Sequence, residues 1–360
     1  MKYKLFFAVF AVGVAILPVR KGSAQEFPYQ VFERYLEPLA QGIGMPGLSA
    51  LILRNGIIEW QRGYGYSDVE SRTQATIHTP YPVGGVTQAV TGVLFGICID
   101  RYGFQIDQPL GNITPTTADP GAVIRHVLAH ASTGRYEYDP DKFSALTPVV
   151  ERCLRLPFRV ATAVEVLDHL GMTKSVPGLD LNRPEGAEAR ELFTEAAVRY
   201  YDSVLREAAV PYRIDRRTGR HTRSQYPTYG LDAAAGLVAS AYDLSTFERK
   251  LDDDDNVPID RSTLRQMWTN TVLVDPTNSN LRTPMPTGLG WFVQRSSGID
   301  LVWTFGHIPD AGSALILKMP SKRLTLILLA NSDGLTAGYN LERGDITTSP
   351  FVKIFLRLFI

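Results

Sequence analysis

The spacing of apolar residues changes several times along the chain, and the order of those changes outlines a fold. From 29 to 39 apolar positions fall at Val31, Phe32, Tyr35, Leu36 and Leu39, a helical spacing that closes at a Gly-rich turn. Residues 47–54 and 57–63 then read as two strands. They are joined by Asn55-Gly56, the dipeptide that supplies the two positive-φ residues of a type I′ hairpin. After Gly84-Gly85 a long apolar helix carries Val86, Val90, Val93, Leu94, Ile97 and Cys98, and it stops at Tyr102-Gly103. A further helix is expected from 120 to 130. From there to about 250 the pattern is helical or irregular, with helices over 146–156, 158–170, 188–209 and 233–251. The last third returns to strand-like runs at 290–294, 301–305, 314–319 and 324–330, and 351–360 closes as an apolar helix.

Two early strands and three late ones make one antiparallel sheet most easily if the helical stretch is inserted between them. Helices from both ends of the chain then cover the sheet, which is an α+β arrangement. The expected division is a leader at 1–24 and one domain at 25–360. Within that domain an α/β lobe comprises 25–80 plus 280–360, and a mostly helical lobe spans about 81–279.

At 360 residues and 44% hydrophobic content the chain can bury a large core. Its 37 basic residues balance 37 acidic ones, so no global charge points to nucleic acid or to a membrane surface. The basic piece Arg213, Arg216, Arg217, Arg220, Arg223 has Asp, Thr and Gly neighbours and reads as a solvated hairpin or loop. The four acids 252–255 read as a solvated loop after a helix, because no spaced set of calcium ligands accompanies them. At the N-terminus, Lys2 and Lys4 precede an apolar run from 5 to 17, and Gly22-Ser23-Ala24 offers a cleavage site. The expectation is a secretory signal, export to a bacterial periplasm or beyond, and no membrane span once it is cleaved. Arg20 and Lys21, close to the cleavage site, leave an uncleaved anchor as the alternative. Cys98 and Cys153 both sit in apolar helical patterns, which favours buried free thiols, while export also allows a pair.

Cofactor and metal motifs fail on context. Gly42, Gly44 and Gly47 fit G-x-G-x-x-G, yet they run from helix to strand, the reverse of a dinucleotide site. His126 and His130 are spaced i, i+4 without a neighbouring Glu or third ligand, so a packing role is expected of both. No cofactor or metal is expected.

The turn at 81–86 is where candidate chemistry concentrates. A buried helix that begins there presents free N–H groups and the positive end of its dipole to whatever lies in front of it. Several landmarks follow in order: Val83-Gly84-Gly85-Val86-Thr87-Gln88, then Leu128-Ala129-His130-Ala131-Ser132-Thr133-Gly134, and Leu170-Gly171-Met172-Thr173. Ala234-Ala235-Gly236-Leu237, Gly288-Leu289-Gly290-Trp291 and Leu328-Leu329-Ala330-Asn331-Ser332 complete the set. In kind and order these resemble the serine hydrolase family of class C β-lactamases, DD-peptidases and esterases. The resemblance runs along essentially the whole mature chain.

It implies the roles of single positions. The family's S-x-x-K nucleophile and general base fall on Gly85 and Gln88, so both reactive groups are replaced. The Y-x-N motif, counted back from Glu151, falls on Tyr138-Asp139-Pro140, which keeps the tyrosine and puts proline where an amide would contact substrate. The K-T-G or H-x-G motif falls on His307-Ile308-Pro309, where Pro309 removes a backbone donor. Without nucleophile and base the acyl-enzyme route lacks its attacking atom and its proton acceptor. Loss of a serine nucleophile costs on the order of a millionfold, roughly 8 kcal/mol of barrier.

Three functions fit this pattern. The first is a monomeric, non-hydrolytic binder of a small acyl, peptidoglycan-like or ester ligand. The second is an active esterase or peptidase with a displaced nucleophile, for which Thr87 and Ser132 are the candidates. The third is a scaffold whose pocket has closed.

Overall fold

A computed structural model describes residues 27–252, 259–275 and 278–360. The expected signal segment and Asp253, Asp254 and Asp255 lie outside the described residues. The architecture is α+β, as expected. Its centre is a seven-stranded antiparallel sheet built from β1 (Gly47–Arg54), β2 (Ile57–Asp68), β3 (Thr73–Gln74), β4 (Phe292–Ser296), β5 (Ile299–Ile308), β6 (Gly312–Met319) and β7 (Leu324–Ala330), in the order β4-β5-β6-β7-β1-β2-β3. The two ends of the chain meet where β1 pairs with β7, Leu51 opposite Ile327. Four late strands join the sheet rather than three, because the 290–294 run also pairs, Phe292 opposite Trp303, and forms one edge.

Alternation along the strands explains the layering. Leu48, Ala50 and Ile52 face one side together with Trp303, Leu315 and Leu326, against α1 (Phe27–Ile43) and the closing helix Pro350–Phe359. Leu51, Leu53, Ile316 and Ile327 face the other side, against α2 (Thr87–Tyr102). Period-two alternation with apolar residues on both faces marks a sheet covered on both sides. The Asn55-Gly56 turn has φ of 53° and 75°, the two left-handed residues a type I′ turn needs.

Several helices are shorter than their hydrophobic pattern suggests. The 120–130 stretch contributes only α3 (Ile124–Leu128), and 188–209 breaks into Ala187–Arg190 and Glu195–Leu205. The 233–251 stretch is a correction. Val238–Ser240 is a strand paired with Pro80–Pro82, and the helix starts only at Ala241. A short buried strand and a buried helical turn carry the same apolar run, so periodicity does not separate them. The arginine-rich piece is a hairpin, Tyr212–Asp215 with Arg220–Arg223, and the second of these strands is exposed along its length.

The cysteines are a second correction. Cys98 on α2 and Cys153 on the helix Thr147–Leu154 form a disulfide with Cα atoms 6.1 Å apart. Burial and apolar neighbours, which suggested free thiols, are equally the surroundings of a bridge between two packed helices. Only the helix-to-helix distance decides between them.

Candidate functional site

The start of α2 rests directly on β5. Gly84 adopts φ +52°, and a Cβ on Gly306 would fall 1.9 Å from the carbonyl oxygen of Val83, so this approach needs glycine at 306. The contact seats Gly85 beside the strand. A Cβ added there would lie 2.7 Å from the carbonyl oxygen of Phe305 and 2.8 Å from the hydroxyl of Tyr138. Where a side chain would leave Gly85, a backbone carbonyl and a phenol already stand.

Behind Tyr138 runs a chain of neutral polar groups. Gln88, 3% exposed, donates from Nε2 to the Tyr138 hydroxyl at 3.3 Å, and its Oε1 lies 3.0 Å from His130 Nε2. The backbone N–H of Asp139 donates to His130 Nδ1 at 3.2 Å. With Nδ1 accepting, the ring carries its proton on Nε2 and gives that hydrogen bond to Gln88. His130 lies against Tyr138, ring centroids 4.6 Å apart, and stacks on Phe143 at 5.0 Å. Burial pushes its pKa down to about 4, against a smaller opposing effect of Asp139. Burial also raises the Tyr138 phenol well above its ordinary range, with the Gln88 hydrogen bond only partly opposing it. At neutral pH Tyr138, Gln88 and His130 are therefore all uncharged.

In front of Gly85 and Tyr138 opens a cavity of roughly 690 Å³. Pro140, Asp141 and Ser144 line one side of it, and Phe305, His307 and Pro309 come from β5 and the turn after it. Tyr229, Asp232, Ala234 and Ala235 form another wall, and the segment from Thr336 to Glu342 closes the far side. The His307 Nδ1 lies 3.0 Å from Thr336 Oγ1. Its pKa is lowered, mainly by desolvation and further by Arg216, while Asp333, Glu342 and Asp310 oppose the shift.

Five of the six residues singled out from the sequence therefore meet at one cavity: Gly85, Tyr138, Pro140, His307 and Pro309. Gln88 stands one hydrogen bond behind the wall. Pro140 also has a local task. It occupies the first turn of the helix Pro140–Ser144, whose N-cap Asp139 accepts from the Lys142 N–H at 3.0 Å, and proline suits that position because no intrahelical bond is lost.

The two displaced-nucleophile candidates do not join the site. Thr87 is fully buried, donates to the Gly84 carbonyl at 2.7 Å and accepts from the Leu237 N–H at 3.3 Å. Ser132 is not among the residues that line the cavity. His130, expected to pack, does pack and is also the hydrogen-bonding partner of Gln88. Its place in the 128–134 segment was the available signal. Thr336, Asp232 and Glu342 had no sequence signal, since they reach the cavity from two irregular segments far apart in the chain.

Residues 32–346 match the family model described as Beta-lactamase. The chain belongs to the Beta-lactamase family. The whole cavity, from Gly84 to Glu342, falls inside the matched span of this family member. Local stretches also match curated proteins. The chain is 36% identical over 64 residues to Protein flp of Staphylococcus aureus (strain N315), covering 18% of this chain and 13% of that protein. It is 26% identical over 123 residues to Teichoic acid D-alanine hydrolase of Staphylococcus aureus (strain MRSA252), covering 33% and 29%. The chain thus spans less than a third of the length of these relatives. The octameric penicillin-binding protein homologue from Pyrococcus abyssi superposes with a TM-score of 0.71 at 18% identity, covering 91% of this chain and 77% of that one. SurE gives 0.68 at 19% identity, covering 92% and 77%. At such identities the two structures establish the fold of this Beta-lactamase family member and nothing finer.

Proposed function

We propose that this Beta-lactamase family protein is exported and holds a small acyl, peptide or ester ligand in the cavity without hydrolysing it. One observation carries the reading. The position in front of α2, where a nucleophile would project, is occupied by the Phe305 carbonyl and the Tyr138 hydroxyl, while the space beside it stays open. An open cavity favours binding over a closed scaffold. The neutral Gln88–His130–Tyr138 chain supports the loss of hydrolysis, since at neutral pH Gln88 has no basic site and Tyr138 keeps its proton. Export is supported by the Cys98–Cys153 disulfide, which suits an oxidising compartment, together with the signal-like segment at the N-terminus. The relative named for teichoic acid D-alanine keeps small acyl compounds among the candidate ligands.

A second reading has one specific observation in its favour. His307, with a lowered pKa, lies 3.0 Å from the Thr336 hydroxyl on the cavity wall, an arrangement in which an imidazole can take a proton from a hydroxyl.

Intact-mass analysis after exposure to a fluorophosphonate and to benzylpenicillin separates the readings, with a Gly85→Ser/Gln88→Lys variant beside the unaltered protein. No adduct on the unaltered protein and labelling of the variant is the expected result. An adduct on the unaltered protein overturns the non-hydrolytic reading, and peptide mapping then tests Thr336 first. No adduct on either protein favours the scaffold.

A further inference from the structure

The cavity wall carries charge of one sign. Asp141, Asp232 and Glu342 line it, and among the described residues that line it none is a lysine or an arginine. Cations on the surrounding elements are ion-paired, and Arg216 also donates to the carbonyl of the wall residue Ala337 at 2.9 Å. Arg216 pairs with Asp333 at 3.2 Å, Arg159 with Asp180 at 2.7 Å, and Lys142 with Asp139 at 3.2 Å and Glu137 at 3.5 Å. His307 is the remaining basic group on the wall, and its lowered pKa leaves it neutral at pH 7.

Asp232 is placed to receive a donor. One carboxylate oxygen, Oδ1, accepts from the N–H groups of Ala234 and Ala235 at 2.7 and 3.0 Å, which fixes the side chain, and Oδ2 takes no such bond from the loop. Glu342 is exposed, and its backbone carbonyl accepts the Tyr136 hydroxyl, which holds the far wall in position. The same wall carries the aromatic residues Tyr138, Tyr229 and Phe305. Acidic groups with aromatic faces attract an ammonium, through charge and through the ring quadrupole, and repel a carboxylate. A cavity of roughly 690 Å³ has room for such a group together with an acyl or peptide portion.

We infer that the ligand of this cavity carries a protonated amine, and that Asp232 and Glu342 select it over neutral and anionic acyl compounds. The inference rests on the cavity being a ligand site, as proposed above, and adds the charge class of its ligand.

Three probes that differ mainly in charge test it: D-alaninamide, N-acetyl-D-alaninamide and N-acetyl-D-alanine. Ligand-observed NMR titration of the full protein at about pH 6.5, where an α-amino group is protonated, gives their relative affinities. D-Alaninamide is expected to bind about tenfold more tightly than its neutral acetylated form, with the anion weakest, and added salt is expected to narrow the difference. The single variants Asp232→Asn and Glu342→Gln are each expected to reduce the preference by roughly threefold. The second is the safeguard for folding, because its side chain is exposed. If the neutral or anionic probe binds as tightly as the cation, or neither variant reduces the preference for the cation, the charge inference is overturned and the binding cavity stands. If none of the probes binds, the inference falls together with the binding reading.

Discussion

Adding a single methyl group at Gly85 tests the occupancy of the nucleophile position directly. In Gly85→Ala the new Cβ would stand 2.7 Å from the Phe305 carbonyl oxygen and 2.8 Å from the Tyr138 hydroxyl, both closer than carbon and oxygen pack. The carbonyl belongs to the backbone of β5, which Phe305 ties to Leu315 on β6, so it gives little. Tyr138 must therefore move, which disturbs the hydrogen bond from Gln88 and the ring contact with His130. Overpacking of this kind costs about 1–3 kcal/mol. Gly42→Ala is the matching control. It lies in α1 at ordinary φ with nothing within 4 Å of its added Cβ, and is expected to be neutral or to stabilise by about 0.5–1 kcal/mol through helix propensity. Urea unfolding of both variants, read as midpoint and slope, measures the difference.

A cycle with Tyr138→Phe separates the two contacts. Removing the hydroxyl relieves one of them but leaves the buried Gln88 amide without that acceptor, a loss of about 1–3 kcal/mol by itself. In the Tyr138→Phe background the cost of Gly85→Ala is expected to fall by about 1 kcal/mol, with the Phe305 part persisting. If Gly85→Ala is as stable as the unaltered protein and behaves like Gly42→Ala, the nucleophile position is empty and the physical basis for the non-hydrolytic reading fails.

Two further outcomes follow from the site and its support. His130 has a folded pKa of about 4 against about 6.5 when unfolded, so the unfolded chain binds its proton first and stability falls as pH drops through that window. The loss attributable to His130 is about 3 kcal/mol. Urea titrations from pH 7 to pH 4 should show a steeper decline for the unaltered protein than for His130→Gln, and equal slopes would refute the buried neutral imidazole. Reducing the Cys98–Cys153 bridge, which closes a sequence separation of 55, is expected to lower stability by about 4 kcal/mol in the chain-entropy account, checked by urea unfolding of Cys98→Ala/Cys153→Ala.

By itself the sequence determined the elements whose signals are local. The Asn55-Gly56 hairpin, the helix after Gly84-Gly85, the covered antiparallel sheet and the late strands could all be read from turn chemistry and period, because those depend on a residue and its near neighbours. The gathering of Gly85, Tyr138, Pro140, His307 and Pro309 was legible through family resemblance, as a set of motifs in order. Tertiary structure alone decided what stands between them. That the Gly85 position is filled from Tyr138 and Phe305, that His130 orients Gln88, that Cys98 meets Cys153, and that Asp232 and Glu342 give the cavity its sign all depend on contacts between residues 40 or more positions apart. Such contacts are set by how helices and loops pack onto the sheet. Hydrophobic pattern fixes which face of an element is buried, but not the distance or direction at which two buried faces meet.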